Sequence, residues 1–216
     1  MGRRTKATIL AAVAALAMLL TGCGGTQFAE YDVSGYVKAL LDSSYRDDNT
    51  ALMSISGMTQ AEAEAYNDTT VENATVRFCN TYDLAPSQDQ LDQLEAIMRQ
   101  VFAQARYSVT NHRQVEGGYY LEVEVTPIVN FVGREADLER LKEQATDDAA
   151  GDPLSDANDL YLEKVIAFCK QEMNGIVYES SSRTIPLDIV QTSQGELQMD
   201  LEQIEAIDQV VVKFAR

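Results

Sequence analysis

Residues 117–126 read Gly117-Gly118-Tyr119-Tyr120-Leu121-Glu122-Val123-Glu124-Val125-Thr126. Tyr119, Leu121, Val123 and Val125 alternate with Tyr120, Glu122, Glu124 and Thr126. Alternate residues of an extended chain point to opposite faces, so this pattern makes one face apolar and the other largely acidic. Such a segment is a half-buried strand of an antiparallel sheet. Glu116-Gly117-Gly118 ahead of it is a turn, because glycine tolerates positive φ. Before the turn, Tyr107 and Val109 open an extended stretch that runs to about Val115. The two arms form a β-hairpin.

Upstream of the hairpin the period lengthens to that of a helix. Asp32 is a suitable N-cap, and Val33, Tyr36, Val37, Leu40, Leu41 and Ser44 follow at helical spacing. This first helix should stop near Arg46-Asp47-Asp48-Asn49-Thr50. Thr59 and Glu62 form a capping box for a second helix, whose stripe is Ala63, Tyr66, Thr70, Ala74, Phe78 and Tyr82. Ser87 and Gln90 open a third after Pro86, with Leu91, Leu94, Met98, Val101, Phe102 and Ala105 on its apolar face. Downstream, Pro127–Gly133 leads into a charged helix from Arg134 to about Thr146, interrupted by Asp147–Leu154. Ser155 should cap the next helix, carrying Leu160, Leu162, Val165, Ile166, Phe168, Cys169 and Met173, with Gly175 ending it. A second hairpin has arms Tyr178–Thr192 and Glu196–Leu201 around Ser193-Gln194-Gly195. A last helix from Leu201 offers Ile204, Ile207, Val210, Val211 and Phe214 for burial. Runs of helices and hairpins in this order predict an α+β fold, an antiparallel sheet built from two hairpins with helices packed on one side.

The amino-terminal end speaks of address. Arg3, Arg4 and Lys6 precede an apolar run from Ala7 to Leu20, followed by Leu20-Thr21-Gly22-Cys23. The run is shorter than the roughly 20 apolar residues of a comfortable membrane span, and its layout is that of a cleaved secretory signal. The ending resembles the lipobox of bacterial lipoproteins. That resemblance implies a diacylglycerol on the Cys23 thiol and cleavage before it. One acyl chain is only marginally retained by a bilayer, whereas two hold a protein stably. The expected organisation is a signal peptide over 1–22, a tether over 23–31 beginning Cys23-Gly24-Gly25-Thr26-Gln27, and a single α+β domain over 32–216. The expected location is the extracytoplasmic face of the cell membrane.

Composition narrows the partners. The chain carries 17 Lys plus Arg against 34 Asp plus Glu. Loss of the three basic residues of the signal leaves 14 against 34, a net charge of −20. Coulomb repulsion then excludes nucleic acid as a partner and disfavours anionic headgroups. The membrane is reached through the lipid on Cys23, and no protein or small-molecule partner is marked. Two cysteines remain. Cys79 and Cys169 fall on apolar faces of helices; a disulfide between them is chemically permitted outside the cytoplasm, and each equally suits a small buried hydrophobe.

The lipobox, the helix Asp32-Val33-Ser34-Gly35-Tyr36-Val37-Lys38-Ala39-Leu40-Leu41-Asp42, the segment Met58-Thr59-Gln60-Ala61-Glu62-Ala63-Glu64 and the hairpin Tyr107–Val125 together resemble a group of uncharacterised lipoproteins of Gram-positive, Clostridia-type bacteria. That group has no established activity to carry over. The resemblance implies a curved-sheet fold of the nuclear-transport-factor-like or cystatin-like kind. In such folds helices pack into the concave face and sometimes leave a pocket.

No catalytic constellation stands out. His112 is the one histidine, beside Arg113 on the first strand. Its parity with Tyr107 and Val109 predicts the opposite, wet face. Metal sites need several converging ligands, and neither HExxH nor paired cysteines occur, so neither metal nor cofactor is expected. Asp147, Asp148, Asp152, Asp156 and Asp159 crowd one region, but Gly151 falls outside the EF-hand register. Phosphate-binding glycine motifs are absent, and the chain has no Trp. Tyr36, Tyr45, Tyr66 and Tyr82 read as core or rim. The expectation is a non-enzymatic, lipid-anchored protein with a binding or envelope-associated role. Its rivals are a carboxylate-based hydrolase with a pocket between helices and sheet, and a small solute-binding lipoprotein.

Overall fold

A computed structural model describes residues 32–151, 155–191, 197–199 and 201–214. The signal over 1–22, Cys23, the tether over 23–31, Asp152 and the turn at Ser193-Gln194-Gly195 lie outside these residues.

The first helix, α1 (Val33–Arg46), begins where expected: the Asp32 carboxylate accepts the Gly35 amide hydrogen at 2.7 Å. Asp47, in the left-handed region at φ 55°, ends it. A helix the periodicity does not reveal follows, α2 (Thr50–Ser56), closed by Gly57 at φ 73°. Its two turns are too short to display a stripe, and burial of Leu52 holds it in place. The long α3 (Gln60–Thr81) and α4 (Gln88–Phe102) start at the Thr59–Glu62 and Ser87–Gln90 boxes. The Glu62 carboxylate accepts from the Thr59 amide at 2.8 Å, and the Gln90 carbonyl from the Ser87 amide at 2.9 Å. Each box satisfies amide hydrogens that a first helical turn leaves open.

The hairpin is β1 (Arg106–Val115) and β2 (Gly118–Thr126). Then come α5 (Glu135–Ala150), α6 (Ala157–Glu172), β3 (Arg183–Gln191), β4 (Leu197–Met199) and α7 (Leu201–Val211). The fold is α+β, with four antiparallel strands in the order β1-β2-β3-β4. Central β2 turns Tyr119, Leu121, Val123 and Val125 towards the helices, where they are buried. Val123 is flanked in register by Val109 and Ile185, and Leu121 by Leu187. This inner face continues into Phe78, Met98, Val101, Phe102 and Phe131 as one core.

Three boundaries and one facing differ from the sequence expectation. Helix α5 runs on to Ala150, and the cap of α6 is Asp156, whose carboxylate accepts from Asn158 and Asp159, rather than Ser155. Tyr178 makes an isolated bridge to Ile128, and the strand proper starts at Arg183. The fourth difference concerns parity. Thr110 is in register with Glu122 but Arg113 with Tyr120, so Asn111 and His112 together face Leu121. This is a β-bulge, with Asn111 at φ 51°. The extra residue reverses alternation beyond it. His112 therefore shares the face of Tyr119, and their rings stack at 5.7 Å. It is exposed all the same.

Two details protect the β3 edge. Short β4 pairs only Ile189–Gln191. The Asp188 amide, just beyond, donates to Gln203 Oε1 of α7 at 2.9 Å. Pro186 has the same parity as Asp188, so its missing N–H falls on this edge and removes no bond to β2.

Candidate functional site

The corner where α1 gives way to α2 and α3 holds an open cleft of about 580 Å³. Asp47, Asp48 and Asn49 line one stretch of its wall, with Met53, Met58 and Gln60 among the other lining residues. Local geometry fixes the wall. The buried Asn49 side chain donates to the Asp47 carboxylate at 2.9 Å and accepts the Ser43 hydroxyl at 2.6 Å. The Asp48 carboxylate faces the Thr50 amide at 3.4 Å. Both carboxylates remain exposed. The cleft is broadly open to solvent, with acidic side chains beside two thioethers. The cleft is invisible in the sequence because α2, which builds half of it, displays no period. Asn49 and Gly57, on either side of that seven-residue helix, are the available signal.

The most perturbed carboxyl sits elsewhere. Asp208 of α7 accepts the Tyr45 hydroxyl at 2.6 Å. Burial pushes its pKa from 3.8 up to about 6, opposed by the Tyr45 hydrogen bond and by Arg77. Arg77 donates to the Asp208 backbone carbonyl at 3.1 Å, and its guanidinium lies 5.7 Å from the Phe214 ring. Tyr45 stacks on Phe102 at 5.5 Å and meets Tyr107 edge-on. The Tyr107 hydroxyl donates to Asp42, which also pairs with Lys38 and Arg46. This chain of contacts clasps α7 to α1, α3 and β1. Asp208 does not line the cleft beside α2.

The remaining candidates scatter. Cys79 and Cys169 are buried free thiols. Burial pushes Cys79 up to about 11 and Cys169 up to about 12. Among the described residues no group of three or more His, Cys, Asp or Glu side chains is placed to hold a metal ion. In the acidic region, Asp148 pairs with Lys164 at 2.8 Å and Asp156 caps α6. Tyr36 and Tyr45 are core residues, while Tyr66 and Tyr82 are half-buried at its rim. Where β2 and β3 form the inner face of the sheet, on which the resemblance implies a pocket, the side chains are at most 8% exposed: Tyr119, Leu121, Val123 and Val125 of β2 with Ile185, Leu187 and Ile189 of β3.

No protein-family model matches the chain, and no curated protein matches it. The fold has a counterpart among solved structures. The crystal structure of the ycdA product of Bacillus subtilis, described as a candidate lipoprotein, superposes with a TM-score of 0.60 at 14% sequence identity. The match covers 83% of this chain and 56% of that one, so this protein spans little more than half the length of its neighbour.

Proposed function

We propose that the protein is a lipoprotein, anchored by acyl chains on Cys23 to the extracytoplasmic face of the cell membrane, with a binding or envelope-associated role for its α+β body. The observation that carries this reading is the sequence Leu20-Thr21-Gly22-Cys23 behind a basic start and an apolar run. Two further facts are consistent with it. Among the described residues no helix is long and apolar enough to cross a membrane, and the fold is shared with a candidate lipoprotein. The body over 32–216 is then a single unit held by the tether 23–31. Its cleft beside α2 is the place for a small ligand, and its net charge turns nucleic acid away.

Cys23→Ala tests the anchor in the producing cell. The wild-type protein fractionates with membranes, and its amino-terminal peptide carries a diacylglycerol by mass spectrometry. The variant loses the modification and leaves the membrane fraction for the supernatant. Equal membrane retention of the variant, or an unmodified wild-type amino terminus, contradicts the proposal.

A further inference from the structure

The direction of α1 determines which end of the body the anchor holds. At its C-terminal end, Arg46 donates to the Ala105 carbonyl at 2.9 Å and Asp42 accepts from Tyr107, both at the start of β1. In its first half, Tyr36, Ala39 and Leu40 form, with Leu52 and Ala63, the small apolar cluster against which Met199 packs, and Met199 also packs on the main core that holds Val33 and Val37. Met199 is in register with Ile189, and Ile189 with Tyr119, next to the Gly117-Gly118 turn. Helix α1 therefore starts at the turn end of the sheet. Nine Cα steps separate Cys23 from Asp32, a reach of at most about 30 Å. The strand β1, at ten residues, is itself about 33 Å long. The turn end is thus the end of the sheet nearest the point where the tether joins the body.

The outer face of the sheet at that end is graded. Val115, Gly118 and Val190 are in register across three strands. Val115 is 40% and Val190 57% exposed, two of four large apolar side chains so exposed among the described residues. Gly118 between them can have no side chain, since a Cβ would lie 1.9 Å from the Ile189 carbonyl oxygen. One row further from the tip, the Arg113 guanidinium lies 4.2 Å from the Tyr120 ring. Beyond that come Glu122 and Glu124. An apolar row, then an aromatic with a cation, then carboxylates is the order in which side chains suit acyl boundary, headgroups and water. Among the described residues, Glu116 at the turn and Asp188, hydrogen-bonded to Gln203, are carboxylates within this zone.

We propose that this tip is a membrane-docking edge: once Cys23 is lipidated, Val115 and Val190 settle into the headgroup boundary of the bilayer and set the orientation of the body. The proposal rests on the anchoring reading above and extends it. The tether keeps the edge at high local concentration over the surface, so a weak contact suffices.

The test uses the full-length lipidated protein in phosphatidylcholine vesicles doped with brominated lipid. A fluorophore is placed at Val115→Cys, Val190→Cys or, as the far-end reference, Val177→Cys; Val177 is 52% exposed, and the native Cys79 and Cys169 are buried. Labels at 115 and 190 should be quenched and the label at 177 should not. In a protein labelled at 115, Val190→Glu should abolish quenching while the protein stays on the vesicles. Equal quenching at all three positions, or none, overturns docking and leaves anchoring intact. Loss of the protein from the vesicles overturns the anchoring reading instead. Shielding of the labels that grows with protein density without quenching by bromine assigns the edge to a second copy, and also overturns docking.

Discussion

Replacing Asp208 by asparagine removes an ionisable group from the clasp between α7 and α1 while keeping an acceptor for Tyr45. Burial raises the folded-state pKa from 3.8 to about 6. At about 1.4 kcal/mol per tenfold change in acidity, the difference amounts to about 3 kcal/mol. Its sign follows from linkage. A carboxyl whose folded pKa is raised adds stability below its unfolded pKa and loses that contribution as pH rises through the folded value. Above both, the folded protein carries an enclosed carboxylate at a cost of about 3 kcal/mol. An asparagine side chain escapes this cost, but its amide brings donors with no partner assigned, at about 1 kcal/mol. Asp208→Asn should therefore destabilise by about 0.5 kcal/mol near pH 4 and stabilise by about 2 kcal/mol at pH 7.5. For a chain of this size the latter raises Tm by about 4–8 °C. Thermal unfolding of both proteins across pH 4–8 reads the difference directly, because titration of the other carboxylates is common to both. A Tm difference independent of pH, or one that favours the variant most at pH 4, would refute the reasoning.

Other substitutions probe the joints between elements. The Asn130 side chain, buried in the loop after β2, donates to the Glu172 and Gly175 carbonyls at 2.9 and 2.8 Å and accepts the Val177 amide at 2.8 Å. Asn130→Ala strands three backbone groups and should cost about 3 kcal/mol, measured by urea unfolding. The Tyr82 hydroxyl bonds to the carbonyls of Phe131 and Phe214, the latter at 2.9 Å. Tyr82→Phe keeps the ring packing against Phe78 and should lower stability by about 1 kcal/mol in the same assay. Since burial pushes both thiols up, to about 11 and about 12, Cys79 and Cys169 should resist a thiol reagent at pH 8 in the folded protein. They should react promptly once it is unfolded; rapid labelling of either native thiol would contradict their burial.

Much of the architecture is legible in the sequence because its causes are local. The alternation of Tyr119, Leu121, Val123 and Val125 announces both the strand and its buried face. The capping boxes at Thr59 and Ser87 place two helix starts to the residue. What escapes the sequence is short or compensated. Helix α2 has too few residues for a period. The bulge at Asn111 and His112 inserts one residue into an otherwise regular alternation, and nothing in the identities of those residues declares it. Strict alternation puts His112 on the outer face; it stacks instead on Tyr119. The cleft inherits the invisibility of α2. Asp208 is detectable in principle, as a charge on the stripe of Ile204, Ile207 and Val211, but its partner Tyr45 is 163 residues away.

By itself, then, the order of residues determined the α+β class, the first hairpin and the helix caps, since each arises from neighbours within a turn or two of chain. The tertiary structure alone decided which polar groups lose water, which end of the sheet α1 starts from, and where a bulge reverses the faces of β1. Those outcomes depend on how distant segments fill space against one another. Packing of that kind is a property of the whole core and leaves no period in the sequence.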